Sequence, residues 1–225
     1  MRTRGLHSAK LHVLVIDVGG TNVKILATGN RAPRKIPSGP TMTPQHMVKS
    51  VQQLGSDWSY DAISLGYPGP VRDGRPVAEP KNLSAGWVKF DFEKAFNCPV
   101  KVINDAAMQA LGSYEGGRML FLGLGTGLGS ALVTDRVLVP MELSHVQYRK
   151  GRTYEDHVGV RALQRYGEKK WMRYVEDVVL TLRDAFQADY IVLGGGNAKK
   201  LTKLPQGARL GDNNCAFLGG FHLWE

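Results

Sequence analysis

The sequence contains little cysteine and no long hydrophobic run. Only Cys98 and Cys215 occur in 225 residues, without a CxxC pair, so neither a disulfide framework nor a cysteine-based zinc site is expected. No apolar segment approaches the ~20 residues of a transmembrane helix. Asp17 interrupts the first apolar stretch, residues 11–18, which we interpret as a strand and not a signal peptide. These absences predict a cytoplasmic protein without membrane contact.

Acidic residues are outnumbered. The chain has 20 Asp and Glu against 29 Lys and Arg, a formal net charge of +9. Such a charge favours anionic partners, which include nucleic acid, acidic surfaces and phosphorylated substrates. The charge alone does not choose among them.

Two familiar nucleotide-binding motifs are also missing. The chain has no GxxxxGK[ST] segment, and the glycines at 123–129 lead into a strand-like run instead of opening a helix, which excludes P-loop and Rossmann-type binding. Three glycine turns, at residues 19–20, 123–129 and 194–196, instead follow predicted strands. Glycine turns let backbone N–H groups converge on phosphate oxygens, although any one of them alone is also typical of an ordinary hairpin.

Strand-like and helix-like segments alternate along the chain, which predicts an α/β fold. The run at 118–139 is interpreted as two strands around a glycine turn, and the N-terminal run is interpreted in the same way. This repeated strand–turn–strand pattern predicts two related lobes. Helices are expected at residues 44–54, 91–96, 106–114, 154–166, 169–186 and 213–224, and further strands at residues 62–65, 99–103 and 190–193.

Several motifs occur in an order that resembles the ROK family of sugar kinases. They are DVGGTNVK, YPGPV, NLSAGW, IND, LGLGTGLG, ELSH and VLGGG. The resemblance covers residues 13–220. The spacing around ELSHVQYRKGRTYED is most similar to the polyphosphate glucokinase branch. The resemblance implies the two-lobed actin/hexokinase-like (ribonuclease H-like) fold. We expect an N-terminal lobe at 1–105, completed by a C-terminal helix at 213–225, and a C-terminal lobe at 106–212.

The resemblance implies phosphate- and nucleotide-binding roles for all three glycine turns. Asp17 would also organise Mg²⁺, directly or through water, since magnesium prefers hard oxygen ligands; without the family, it could simply cap its turn. The implied residues are Asp17, Gly19, Gly20, Thr21, Asn22, Lys24, Gly125, Thr126, Gly127, Gly194, Gly195 and Gly196.

The resemblance also implies a catalytic base and a sugar site. Asp105 would accept the proton of the sugar 6-hydroxyl; an Asn-Asp pair after a strand is otherwise typical of a helix N-cap. On its own, a histidine such as His145 is more often a surface or structural residue. The implied sugar-binding residues are Asn82, Asn104, Glu142, His145 and Glu155, the last resting on spacing alone.

The expected reaction is phosphoryl transfer from ATP or polyphosphate to the 6-hydroxyl of glucose. Lys199, Lys200, Lys203 and Arg209 could line a polyphosphate groove or could be solvated surface. The alternatives are a kinase for mannose, glucosamine or N-acetylmannosamine, and a non-catalytic sugar-responsive regulator. About ten residues precede the first strand, too few for the helix-turn-helix of the family's repressors, so we expect no nucleic-acid partner.

The sequence departs from the family at two points. The cysteine-rich zinc motif that many members carry is missing, so no structural zinc is expected. Ser144 replaces the glycine of the family's ELGH motif, which could shift the sugar loop. A homodimer is compatible with the resemblance, since dimers are common in the family.

Overall fold

The computed structural model describes residues 11–212 and 214–225. Its strands are β1 Val13–Val18, β2 Asn22–Ala27, β3 Arg34–Pro37, β4 Ala62–Tyr67, β5 Val71–Arg72, β6 Arg75–Pro76, β7 Val100–Asn104, β8 Arg118–Leu124, β9 Leu128–Thr134, β10 Val137–Met141, β11 Gln147–Arg149, β12 Arg152–Thr153, β13 Tyr190–Gly194 and β14 Ala208–Leu210. Its helices are α1 Pro44–Leu54, α2 Phe92–Phe96, α3 Asp105–Gly112, α4 Glu155–Val158, α5 Val160–Tyr166, α6 Glu168–Ala185 and α7 Cys215–His222, with a short 3₁₀ turn at Ala198–Lys200.

Two five-stranded sheets form the frame. The first has the order β3-β2-β1-β4-β7 and the second the order β10-β9-β8-β13-β14. In the first sheet, β1, β4 and β7 are parallel, and in the second, β8, β13 and β14 are parallel. Each sheet therefore brings three strand carboxyl ends to one edge, where open α/β sheets bind ligands.

The central strands are buried on both faces. On β8, Leu120 and Leu122 pack against α5 and α6, whereas Met119 and Phe121 pack against α3. This alternation follows from the two-residue period of a strand. On β1, the same alternation sends Leu14 and Ile16 towards α1, and Val13 and Val15 towards α3 and α7.

Helices α3 and α7 connect the two sheets. Helix α3 packs on strands of both sheets, and α7 packs on α3 and on β1. The two helices cross at glycines, because a Cβ on Gly112 would lie 1.9 Å from the Cys215 carbonyl oxygen and one on Gly219 would lie 1.9 Å from that of Met108. The division of the chain into lobes at residue 105 stays a prediction.

Most predicted elements are present, and two predictions are wrong. The run at 118–139 forms three strands, because Asp135 and Arg136 adopt φ of 51° and 62° and turn the chain into β10; two positive φ values are typical of a type I′ hairpin. The helix expected at 154–166 is interrupted at Gly159, whose ψ of 173° is extended. Asn213, in the expected closing helix, lies outside the described residues.

No helix within residues 11–212 and 214–225 combines the length and the apolar character that a membrane crossing requires.

Helix α1 illustrates the local sequence signals that determine where an element begins. Thr43 caps it by accepting a hydrogen bond from the His46 N–H at 3.2 Å, and Pro44 occupies its first turn, where a missing N–H costs nothing.

Candidate active site

The first glycine turn holds a buried carboxylate at the end of β1. Asp17 lies opposite Lys24 in the β1–β2 register, and the Lys24 ammonium is 3.3 Å from its Oδ2. Burial raises the pKa of Asp17, and the Lys24 charge opposes that rise. The turn itself is closed by Ser38, whose hydroxyl donates to the Gly19 carbonyl oxygen at 2.5 Å. The Lys24 charge thus offsets part of the cost of burying the Asp17 carboxylate, which lies next to a potential phosphate site.

Asp105 lies close to Asp17 at the same edge of the first sheet. Withdrawal from water, reinforced by the Asp17 charge, raises the pKa of Asp105 to about 7. Its Oδ1 accepts a hydrogen bond from the Ala106 N–H at 2.8 Å. A carboxyl group that titrates near neutral pH is suited to accept a proton from an alcohol.

Asn104 has the cap role that an Asn-Asp pair by itself indicates. Its Oδ1 accepts from the Ala107 N–H at 3.1 Å, and its Nδ2 donates to the Gly69 carbonyl oxygen at 3.0 Å. The Asn104 side chain also hydrogen-bonds the Asp105 carboxyl group, which leaves one lone pair of its amide oxygen for a ligand. Asn104 therefore joins the YPGP loop to α3 while keeping some binding capacity.

The second and third glycine turns adjoin each other at the edge of the second sheet. The Asn197 N–H donates to the Leu124 carbonyl oxygen at 3.0 Å, and its side-chain amide donates to that of Gly125 at 3.0 Å. A Cβ on Gly195 would lie 2.5 Å from the Leu124 oxygen, so this approach requires glycine. Gly194 and Gly195 also line a cavity of about 60 Å³ with Gln109, Lys199 and Asp212.

Helix α3 links the two groups of turns. Asp105 is its first residue, and the Ala106 side chain contacts Gly129, where an added Cβ would lie 2.8 Å away. The acid at the first sheet's edge and the second glycine turn therefore belong to one packed unit.

Three of the five predicted sugar residues contact another part of this site. Asn104 is described above, and Asn82 packs on Gly20, where an added Cβ would lie 3.0 Å from the Asn82 Cβ. The Glu155 carboxylate packs against Gly127, since a Cβ there would lie 2.2 Å from Oε2. Glu155 thus reaches the second glycine turn.

Glu142 and His145 are exposed on the loop between β10 and β11. The Glu142 carboxylate accepts a hydrogen bond from the Ser144 hydroxyl. His145 makes no side-chain hydrogen bond to another residue within the described parts of the chain. These two residues share a loop with Ser144.

Several residues that hold this site in place carry no local signal in the sequence. Ser38, Gly69 and Asn197 each hydrogen-bond a site loop that is distant along the chain, and no local pattern indicates such contacts.

Two of the basic residues near the third glycine turn form ion pairs with glutamates. Lys200 pairs with Glu168 at 3.2 Å and Arg209 with Glu115 at 3.1 Å.

Magnesium coordination by Asp17 fits the residues present. Within residues 11–212 and 214–225 no cluster of three or more His, Cys, Asp or Glu could hold a metal ion. Mg²⁺ commonly uses one or two carboxylates together with water and substrate phosphates, so a single carboxylate beside a predicted phosphate-binding turn is compatible with it.

Comparisons with known proteins identify the relatives of this chain. The ROK family model matches residues 13–139, more than half of the chain. The polyphosphate glucokinase of Mycobacterium tuberculosis is 25% identical over 214 residues, covering 85% of this chain and 80% of that protein. The polyphosphate glucokinase of Mycobacterium leprae is 24% identical over 209 residues, covering 82% and 63%.

Solved structures show the same fold over nearly the whole chain. The inorganic polyphosphate/ATP-glucomannokinase from Arthrobacter sp. strain KM superposes with a TM-score of 0.80 at 22% identity, covering 96% of this chain and 100% of that one. The ROK family glucokinase from Streptomyces griseus, in complex with glucose and AMPPNP, gives 0.76 at 17% identity, covering 94% and 98%.

The two sheets, their strand-end glycine turns and these superpositions define the actin/hexokinase-like fold. The family match and the polyphosphate glucokinase relatives define the sugar kinase class, whose members are phosphotransferases with an alcohol acceptor. The chain belongs to the ROK family, and within it is similar to the polyphosphate glucokinases.

Proposed function

We propose that this protein transfers the terminal phosphoryl group of polyphosphate or ATP to the 6-hydroxyl of glucose, giving glucose 6-phosphate. The observation that carries the proposal is the Asp105 carboxyl group. It lies beside the first glycine turn, and its pKa is raised to about 7. A carboxyl group in this position supplies a base for an alcohol acceptor next to a potential phosphate site.

In this mechanism Asp105 accepts the proton of the 6-hydroxyl as the oxygen attacks the terminal phosphorus of the donor. The P–O bond to the rest of the donor breaks, and ADP or the shortened polyphosphate leaves. Asn104 orients the sugar with the remaining lone pair of its amide oxygen, and Asn82, Glu142, His145 and Glu155 bind the other hydroxyls. Positioning and charge stabilisation supply most of the rate in phosphoryl transfer.

The glycine turns hold the donor. The Gly19 and Gly125 N–H groups already donate within their turns, so the backbone N–H groups of Gly20, Thr21, Thr126 and Gly127 are the ones proposed to bind phosphate oxygens. Lys24 adds a positive charge beside Asp17. Magnesium bound at Asp17 would neutralise charge on the transferred phosphoryl group. Residues 194–196 line the place for the more distant part of the donor.

Polyphosphate is the donor that the third turn favours. The cavity lined by Gly194, Gly195 and Lys199 has a volume of about 60 Å³, well below the roughly 300 Å³ at which ligand pockets begin. This cavity alone does not enclose an adenine, whereas an extended phosphate chain needs no enclosed pocket. We expect ATP to serve as the weaker donor.

The test is a coupled glucose 6-phosphate assay with Mg²⁺ that compares long-chain polyphosphate with ATP. Mannose, glucosamine and N-acetylmannosamine are assayed in parallel as acceptors. We expect the highest kcat/KM with glucose and polyphosphate. Absence of turnover with every pair of donor and acceptor would refute the kinase proposal, and a preference for another hexose would correct the acceptor.

We further propose a cytoplasmic location and a homodimer. Both cysteines are free thiols, as a reducing compartment maintains them. Strand β10 lies at the edge of the second sheet and exposes Val137 and Val139, which supports a subunit contact there. Light scattering on the purified protein tests the dimer, and a monomer at micromolar concentration would refute it.

A further inference from the structure

Ser144 is a buried polar residue in the middle of the predicted sugar loop. Only 3% of it is exposed, although Glu142 and His145 on either side are exposed. Its side chain is turned back towards the loop. A hydroxyl in this environment requires a hydrogen-bond partner.

That partner is a carboxylate of the predicted sugar site. The Ser144 hydroxyl donates to Glu142 Oε1. A hydrogen bond to a charged acceptor is stronger than one between neutral groups. It fixes one oxygen of Glu142, so that Oε2 remains available to accept a hydrogen bond from a sugar hydroxyl.

The backbone of Ser144 reaches a second predicted sugar residue. Its carbonyl oxygen accepts a hydrogen bond from the Glu155 N–H at 3.1 Å, at the start of α4. The Glu155 carboxylate in turn packs against Gly127 of the second glycine turn. Through Glu155, Ser144 therefore connects the sugar loop to the second glycine turn.

We propose that Ser144 is a positioning residue that sets the affinity for the acceptor sugar. Its hydroxyl holds the Glu142 carboxylate in the orientation that binds a sugar hydroxyl. An exposed glutamate otherwise loses rotamer freedom when a ligand binds, and orienting it beforehand removes part of that loss. This inference rests on the proposed function, because it requires Glu142 to contact the sugar.

The first test replaces Ser144 by Ala, which removes the hydroxyl and leaves the backbone bond to Glu155 in place. We expect the KM for glucose to rise roughly fivefold to tenfold, as the loss of one hydrogen bond gives. The kcat and the KM for the donor should stay within about twofold. Ser144→Thr keeps a hydroxyl and should restore most of the affinity.

A matched control is Ser113→Ala. Ser113 is also 3% exposed, and its hydroxyl donates to the Gln109 carbonyl oxygen at 2.8 Å, at the far end of α3 from Asp105. The Ser113→Ala substitution removes a serine hydroxyl that is equally buried but lies outside the sugar loop. We expect a loss of thermal stability comparable to that of Ser144→Ala and no change in the KM for glucose.

A double-mutant cycle separates positioning from a general structural effect. Glu142→Ala is combined with Ser144→Ala, and the KM for glucose is measured for both single variants and the double variant. If the hydroxyl acts through Glu142, Ser144→Ala has no further effect once Glu142 is Ala. Equal effects of Ser144→Ala in both backgrounds, or no effect in the wild-type background, would refute the inference.

Direct binding keeps this inference distinct from the function it rests on. The Kd for glucose is measured by calorimetry without a donor. If the wild type binds glucose but transfers no phosphoryl group, the proposed function fails, and the Ser144 variants are judged on Kd alone. If it binds and phosphorylates another hexose, that sugar replaces glucose in the cycle. If it binds no hexose, both proposals fail.

Discussion

The substitution Asp105→Asn should make the folded protein more stable than the wild type at high pH and have little effect on stability at low pH. The pKa of Asp105 is raised from 3.8 to about 7, chiefly by withdrawal from water and then by the charge of Asp17. Between these two values the folded protein holds a proton that the unfolded chain has released. Its stability therefore falls as the pH rises through this window, and the full cost of the ionised carboxylate is present above about pH 7.

The size of the effect follows from the shift. A difference of roughly three pKa units at about 1.36 kcal/mol each gives at most about 4 kcal/mol. Because Asp105 is only partly buried, we expect a gain of roughly 1–3 kcal/mol from Asp105→Asn at pH 8. The amide oxygen can still accept the hydrogen bond that Ala106 donates at 2.8 Å.

Urea unfolding at pH 8 and pH 4.5 measures this difference. Asp57→Asn is the control of opposite sign, because the hydrogen bond from Arg34 lowers the pKa of Asp57 to about 2. That carboxylate contributes stability above the unfolded pKa, so its replacement should destabilise the protein at both pH values. An Asp105→Asn protein that is less stable than wild type at pH 8, or equally shifted at both pH values, would refute the reasoning.

Three further predictions concern the contact between α3 and α7, the second glycine turn and the pH dependence of kcat/KM. Gly112→Ala places a Cβ 1.9 Å from the Cys215 carbonyl oxygen, whereas Gly196→Ala meets nothing within 4 Å; thermal unfolding should show a loss of ~3 kcal/mol or more in the first and almost none in the second. Gly127→Ala places a Cβ against the Glu155 carboxylate and should lower kcat/KM by about tenfold or more. Gly125→Ala meets nothing within 4 Å and should change kcat/KM less; equal kinetics for the two variants would contradict this. The wild-type kcat/KM should rise with pH through an acidic limb near 7, and a limb near 4 would contradict the role of Asp105.

Local signals in the sequence predicted the glycine turns and the acids at strand ends. Glycine clusters and strand-terminal Asp17 and Asp105 depend on neighbours along the chain, as do the cap and the proline that begin α1. These features lie where the sequence pattern placed them, at the carboxyl edges of parallel strands. Their roles in binding and catalysis stay predictions.

Features that depend on distant contacts could not be predicted in the same way. The bond from Asn197 to Gly125 spans 72 residues, and the break at Gly159 reflects close packing, because a Cβ there would lie 3.0 Å from the Thr126 carbonyl oxygen. The sequence showed Ser144 only as a substitution for glycine. That its hydroxyl reaches Glu142 became evident from the fold of the loop.

The most direct test of the account compares the turnover and the glucose affinity of Asp105→Asn with those of the wild type, at saturating donor and pH 8. The account predicts that kcat falls by roughly 10²–10⁴, while the Kd for glucose from calorimetry changes by less than about threefold. Full turnover with unchanged glucose affinity would contradict the assignment of Asp105 as the base that accepts the proton of the sugar hydroxyl.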